Sequence, residues 1–413
     1  MSLVLPFRAL RPVRSHVRAV AAPPYDVLSA AEARLLAAAN PLSFLHVEKS
    51  EIDVPDATGV EDRRIYERAR ANLDELVRRE ILRREAGPAF YLYRLRMGGH
   101  VQCGIVACAS VAEYESGLIR RHELTRPDKE RERMYNIDAV GAQTGLVFLT
   151  YRGREAIDRL SERIAAGEPE YDFTAADGVA HTVWVVSDPA RVKEVADEFS
   201  RVDALYIADG HHRAAAAAGV ARLRRQRDPG GADTGTQRFF LAALFPQDQL
   251  RIMDYNRVVR DLNGLSPQAF LRLLRERFPV TAGFAERSPG RAHEFGMYLD
   301  GSWYRLGVSP EMLTSDDPIA RLDVSLLQEN LLGPILGIGD PRTDGRIEFV
   351  GGIRGMAELE RLVDRGGFAV AFSLYPPTLE QMMTVADAGK VMPPKSTWFE
   401  PKLLSGLFVH LLE

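Results

Sequence analysis

The alternation of apolar and polar positions changes character several times along the chain, and each change predicts a different element. After a Pro23-Pro24-Tyr25-Asp26 turn, Ser29-Ala30-Ala31-Glu32 has the form of a capping box, in which the two side chains satisfy amides at the start of a helix. Asn40-Pro41 should end that helix. Residues 61–82 carry Ile65, Ala69, Leu73, Leu76 and Val77 at helical spacing between charged positions, which predicts a surface helix with one buried face, closed off by Gly87-Pro88. Aromatic and β-branched residues then gather in Phe90–Leu95 and Val101–Val111, on either side of Met97-Gly98-Gly99-His100, and predict a β-hairpin.

Residues 120–133 form the densest charge run, six basic and four acidic side chains whose signs nearly cancel. Such a run reads as a solvated loop or helix face laced with ion pairs. Val183–Val186 and Leu205–Ala208 read as short buried strands and Arg213–Arg227 as an alanine-rich helix, so strand, turn and helix meet at Asp209-Gly210-His211-His212. Asp228–Thr236 reads as a linker. Phe239–Phe245 and Leu250–Met253 read as a strand pair around Pro246-Gln247-Asp248. Helices are expected near 266–277 and 323–332, strands near 303–308 and 347–350, and a buried strand at Phe368–Leu374. The fold class that follows is mixed α/β (α+β) in three parts: an N-terminal α+β part at 1–111, a central part at 112–236, and a C-terminal α+β part at 237–413 whose tail folds back toward the centre.

Length and composition narrow the function. A chain of 413 residues exceeds what one hydrophobic core organises, and 46% hydrophobic with 27% charged residues is ordinary for a globular protein. The 53 basic and 57 acidic residues leave a net charge of -4, which gives no global attraction to nucleic acid. The arginines at 222, 224, 225 and 227 are more simply the exposed end of a helix. Nucleic acid is therefore not an expected partner. Cys103 and Cys108, the two cysteines, fall on opposite faces of a strand by their odd spacing, so neither a disulfide nor a zinc site is expected. No stretch approaches the roughly 18 to 20 apolar residues of a membrane helix, and the apolar run in Met1–Leu10 is too short for a signal-peptide core. The expected address is the cytoplasm of a prokaryote-like cell, without a membrane partner.

The strongest candidate chemistry is Tyr206-Ile207-Ala208-Asp209-Gly210-His211-His212-Arg213. An apolar strand delivers a carboxylate, a glycine able to turn sharply, two imidazoles and a guanidinium to the first turn of a helix, where free amides and the helix dipole favour an anion. The box reads either as a phosphate cradle, with Asp209 also able to hold Mg²⁺, or as a helix cap with packed histidines. Zinc on His211 and His212 is not expected, since adjacent residues diverge and no third ligand lies at motif spacing. Glu123, after His122 and among arginines, is a candidate base for a hydroxyl proton, against its reading as part of the ion-paired face. Near the C-terminus, Lys395, Ser396, Thr397 and Lys402 read as a second anion-binding edge or as a docked clamp. There is no P-loop, and Gly333–Gly339 lies in the wrong context for a Rossmann fingerprint.

Several of these segments occur together in a known family. Pro23-Pro24-Tyr25-Asp26, Asn40-Pro41-Leu42-Ser43-Phe44-Leu45-His46-Val47, Arg121–Glu130, Ala208–Arg213 and Met392–Phe399 resemble the bacterial and archaeal proteins of domain of unknown function family 1015, over nearly the whole chain. More locally, the Asp-Gly-His-His-Arg box resembles that of the ParB/sulfiredoxin-like superfamily, in particular its free-serine kinases. That resemblance implies a ParB/sulfiredoxin-like central unit with N- and C-terminal α+β elaborations. It implies catalysis by Glu123 and Asp209, metal binding by Asp209, and phosphate binding by Gly210, His211, His212 and Arg213, with ATP or ADP and Mg²⁺ as cofactors. Lys395, Ser396 and Thr397 are expected to close the site or bind the acceptor. The implied activity is phosphoryl transfer to a small hydroxyl-bearing molecule such as free serine. The alternatives are a nucleotide-binding sensor or ParB-like switch and a metal-dependent hydrolase.

Overall fold

The hairpin expected at residues 90–111 is the middle of a large sheet. The computed structural model describes residues 4–228 and 235–413, and the structural statements below refer to these. The strands of that sheet are β1 (Val4–Leu5), β2 (Phe90–Met97), β3 (His100–Ser110), β4 (Ile119–Arg120), β5 (Val147–Tyr151), β6 (Tyr171–Thr174), β7 (Ala180–Val186), β8 (Leu205–Asp209) and β9 (Phe239–Pro246). Their order is β4-β8-β5-β9-β3-β2-β7-β6, with β1 pairing on β3. The β4/β8 and β5/β9 pairs are parallel and the others antiparallel, which makes the fold a mixed α/β, α+β one. Two compact units result, Met1–Leu250 with Pro401–Glu413 and Arg251–Glu400. Residues 1–111 and 112–236 both contribute strands to the large sheet of the first unit.

Helices of the first unit include α1 (Ala30–Ala37), α2 (Arg63–Arg78), α3 (Pro127–Val140), α4 (Glu155–Ala165), α5 (Pro189–Phe199) and α6 (His211–Arg227). The capping box forms as expected: the Glu32 amide donates to Ser29 Oγ at 3.2 Å and the Ser29 amide to Glu32 Oε2 at 2.8 Å. Helix α2 is shorter than 61–82, because Asp62 caps its start, accepting from the Arg64 amide at 3.1 Å. Val77 is exposed rather than on the buried face. Helix α6 is buried from Ala214 to Ala221 and packs on the sheet and on α3. A Cβ on Gly219 would come within 2.6 Å of the Met134 sulfur of α3, so small residues set how closely the two helices approach. The C-terminal strand His410–Leu411 pairs with Ala142–Gln143, which ties residues 401–413 to this unit.

The expected pairing of Phe239–Phe245 with Leu250–Met253 is not made. Strand β9 lies between β5 and β3 in the large sheet, while Arg251–Met253 pairs with Trp398–Glu400 in the second unit. The division between units falls at residue 250, so the two runs belong to different cores. The expected linker overlaps residues 229–234, which lie outside the described residues. In the second unit an antiparallel sheet of β10 (Tyr255–Val259), β11 (Val280–Ala282), β12 (Glu294–Leu299), β13 (Ser302–Gly307), β14 (Ile347–Gly351) and β15 (Val370–Leu374) has the order β11-β13-β12-β15-β10-β14. The helix Met356–Asp364 covers one face, with Leu359 packed among Val258, Tyr298, Trp303 and Phe368. Among the described residues no helix is long and apolar enough to cross a membrane.

Candidate functional site

Strand β8 reaches the box through a bulge. Ile207 faces Leu149 and Asp209 faces Phe148, so Ala208 is the extra residue and Asp209 is re-aimed at the strand end. Gly210 then turns with φ +90°, a left-handed conformation that selects glycine. The expected capping role of Asp209 is not what is built. Its Oδ1 accepts from the adjacent Gly210 amide at 2.7 Å, and its Oδ2 lies 2.9 Å from Lys402 Nζ. Gly210, in the N-cap position of α6, provides no side-chain cap, which leaves the first amides of a 17-residue helix to other acceptors.

Close packing of α3 against α6 brings the loop before α3 to this helix start. The His212 Nε2 accepts the Arg126 amide at 3.0 Å. His122 and His211 are buried edge to face, with ring centroids 4.6 Å apart and planes at 87°. Glu123 Oε2 lies 4.0 Å from His211 Nδ1, while His211 Nε2 is buried without a hydrogen-bond partner. His122, Glu123 and His211 each offer one ligand atom within 4.8 Å of the others, a set able to hold a metal ion. The set leaves out His212 and draws two of its three members, His122 and Glu123, from far upstream in the sequence. The charge run is not one solvated face, since His122 and Arg133 are buried and Glu132 is half-buried between Lys129 and Arg133, while Arg126 and Asp128 pair on the outside.

The electrostatics of the cluster follow from burial and pairing. Burial pushes His122 down to about 4, against a hydrogen bond to the Ile207 backbone and the charge of Asp209. Burial and the neighbouring His122 push His211 well below the usual imidazole range. Both rings are neutral at pH 7, the form that can ligate a metal or accept a hydrogen bond. Burial favours the neutral acid at Asp209, but Lys402 and Arg213 outweigh it and hold the carboxylate well below the ordinary range.

Arg213 points to the other side of the helix start, where it donates to the Leu146 carbonyl at 2.6 Å and to Asp26 Oδ2 at 2.7 Å. Its guanidinium and that of Arg133 lie over the Tyr25 ring, at 5.3 and 4.0 Å from the centroid. A cavity of about 360 Å³ opens here, walled by Tyr25, Glu48, Arg133, Asn136, Thr144 and Arg213. Glu48 Oε1, Arg133 Nε and Arg213 Nε face burial without hydrogen-bond partners, which marks a polar cavity suited to a polar occupant.

Glu123, Asp209, Gly210, His211, His212 and Arg213 thus share one region of the first unit. Lys395, Ser396 and Thr397 belong to the second unit, where Ser396 Oγ donates to the Pro393 carbonyl at 2.6 Å and Lys395 lies over the Tyr255 ring. Lys402 is the tail cation that meets the box. Tyr25, Asp26, Glu48 and Arg133 had no assigned chemistry in the sequence. Their signal was the Pro-Pro-Tyr-Asp turn and the segment after Asn40-Pro41, both recognisable as motifs but silent about their partners.

Among solved structures, a free serine kinase in complex with AMP aligns at a TM-score of 0.34 and 14% identity, over 72% of this chain and 86% of that one. A conserved hypothetical protein from Pyrococcus furiosus aligns at 0.35 and 12% identity, over 75% and 95%. SbnI from Staphylococcus aureus, truncated at its C-terminus, aligns at 0.37 and 12%, over 74% and 87%. No curated protein matches the chain. The family described as protein of unknown function (DUF1015) matches residues 4–325, which include every box residue and Glu123, and the chain belongs to that family.

Proposed function

We propose that the chain is a nucleotide-dependent phosphotransferase acting on a small hydroxyl-bearing metabolite such as free serine, with ATP or ADP as donor. The observation that carries this reading is the Glu123 carboxylate 4.0 Å from His211 at a helix start without a side-chain cap. A base for a hydroxyl proton and a cradle for phosphate oxygens are what phosphoryl transfer requires of a protein. The acceptor oxygen attacks the terminal phosphorus, its proton passes to Glu123, and the bond from that phosphorus to its bridging oxygen breaks to release the shortened nucleotide. The start of α6, with His212, receives the phosphates, while Arg213, turned to the other side, faces the acceptor cavity. Lys402 supplies a further cation beside Asp209. Asp209 is the ligand for Mg²⁺, which when bound neutralises phosphate charge. The cavity beside Arg213, with both signs of charge on its walls, suits a small polar acceptor.

Phosphorus NMR of the protein with Mg²⁺, ATP or ADP, and a pool of hydroxyl-bearing amino acids and sugars tests the reading. A new phosphomonoester signal is expected, absent in Glu123→Ala although that variant still binds nucleotide. Nucleotide that binds but stays intact across the pool would return the site to a sensor role. No nucleotide binding would remove the reading altogether.

A further inference from the structure

A second cavity, in the unit Arg251–Glu400, has a chemistry of its own. It is a cleft open to solvent, spanning about 370 Å³ with its mouth included, and is walled by Tyr255, Leu322, Leu374, Tyr375 and Pro376, with Arg257, Asp323 and Ser396 as its charged and polar members. Arg257 is buried, yet its guanidinium donates to backbone carbonyls: Nη1 to Tyr255, and Nη2 to Lys395 at 3.1 Å. Among the described residues no carboxylate lies within 4 Å of it. Burial pushes the group down to about 10, the opposite of an arginine held by acids. Asp323, the acid in the cavity wall, is engaged elsewhere: its two oxygens accept the His293 amide at 3.0 and 3.1 Å, and Oδ1 lies 3.1 Å from His293 Nδ1. A guanidinium taken out of water without a counterion is costly unless an anion completes it.

The segment Met392–Phe399 is part of the same arrangement. Lys395 has φ +56°, a left-handed backbone that residues with a side chain rarely adopt, and the carbonyl of that turn is the one Arg257 holds. Its Nζ lies 5.7 Å from the centroid of Tyr255, a ring that also lines the cavity. Ser396, the next residue, also lines the cavity beside Arg257.

We infer that this cavity binds a small organic acid, with the carboxylate on Arg257 and an apolar or aromatic body against Tyr255, Tyr375, Pro376 and Leu374. One guanidinium balances one carboxylate, and the acid Asp323 in the wall disfavours a more highly charged ligand. The walls are aromatic and aliphatic, which suits a hydrophobic body in place of a bare ion. This site is separate from the proposed transferase chemistry and does not depend on it.

The test uses the full chain with acetate, benzoate, phenylacetate and inorganic phosphate, each against sodium chloride at matched ionic strength. Thermal unfolding and ligand-observed saturation-transfer NMR are read together. Benzoate or phenylacetate should raise the Tm by about 2 °C or more at saturation and give saturation transfer, with acetate weaker. Arg257→Met should abolish both signals, and Arg257→Lys, which keeps the charge but not the planar fork, should retain a reduced response. No response to any carboxylate, or one unchanged in Arg257→Met, overturns the inference. A response to phosphate alone that depends on Arg257 overturns the carboxylate class in favour of an inorganic oxyanion.

Discussion

Arg213 and Arg257 are both taken out of water, and the chain treats them in opposite ways. Arg213 faces Asp26 at 2.7 Å, lies over Tyr25 and has Asp209 nearby, so that despite burial these groups hold its charge more firmly than in water. Arg257 also lies over a ring, Phe349 at 5.2 Å, but is given carbonyl oxygens and no carboxylate, and burial loosens its proton. The lesson is that buried cations can serve two ends. One completed by the protein organises its neighbours, and one left incomplete is ready for a ligand.

The largest effect expected in the first region concerns a group outside that charge balance. Glu123 sits 4.0 Å from His211 and is half-buried, so removing it should cost chemistry first and stability less. Glu123→Ala is expected to lower turnover by about 10²–10⁴-fold, the range for loss of a general base. Its stability in urea should stay within about 1 kcal/mol of the parent, as for a half-buried side chain outside the core. Unchanged turnover would take Glu123 out of the mechanism and reduce the region to a structural network.

Next in size is the acid limb of stability, which reports how fully the first region excludes protons. An unfolded imidazole protonates near pH 6.5, whereas folded His122 resists until about 4, so its contribution is complete above about pH 6.5 and is lost as pH falls through that window. At roughly 1.4 kcal/mol per pH unit the loss from His122 alone reaches about 3 kcal/mol near pH 4. His211 acts in the same direction, as do His181 and His410, all pushed down by burial. Denaturation midpoints from pH 7 to 4.5 should therefore fall steeply, and less steeply in His122→Asn. Equal slopes in the two proteins would place the titration elsewhere.

Asp26→Ala strikes the comparison directly, because it makes Arg213 resemble Arg257. Breaking a buried pair by removing one partner costs about 3–5 kcal/mol, but the Asp26 side chain is 35% exposed and Asp209 still faces the arginine. A loss of about 2 kcal/mol follows, measured by urea denaturation, with Asp26→Asn losing about half as much. A negligible loss would mean that Asp209 and Tyr25 complete Arg213 by themselves.

How much of this contrast was legible in the sequence depended on distance along the chain. The Ser29–Glu32 cap, the hairpin and the strand-turn-helix at Asp209–His212 are local, since each is specified by neighbours a few residues apart, and each is present. The His122–His211 contact joins segments that the α3/α6 packing brings together, and the Lys402–Asp209 pair depends on a tail tied down at Ala142–Gln143. No spacing rule could announce them. Strands such as β5, buried on both faces, lack the alternation that identifies a strand from its pattern, and β5 was not anticipated. The pairing expected between residues 239–245 and 250–253 failed for a related reason. A short turn suggests a hairpin, but the boundary between two cores falls inside it.

The smallest expected effect belongs to Arg257 and is the most diagnostic for that reason. Methionine matches much of its length and carries no charge, and apolar replacement of buried ions is often neutral or stabilising by about 1–4 kcal/mol. Against this, the Tyr255 and Lys395 carbonyls each lose a donor, at about 1 kcal/mol apiece, and the left-handed turn at Lys395 loses its clamp. The terms oppose one another, so Arg257→Met without added acid should unfold within about 1 kcal/mol of the parent. A loss above about 3 kcal/mol would show that the guanidinium is there to hold the turn. Arg257 would then be completed by carbonyls as Arg213 is by carboxylates, and the two regions would differ only in which oxygens do the work.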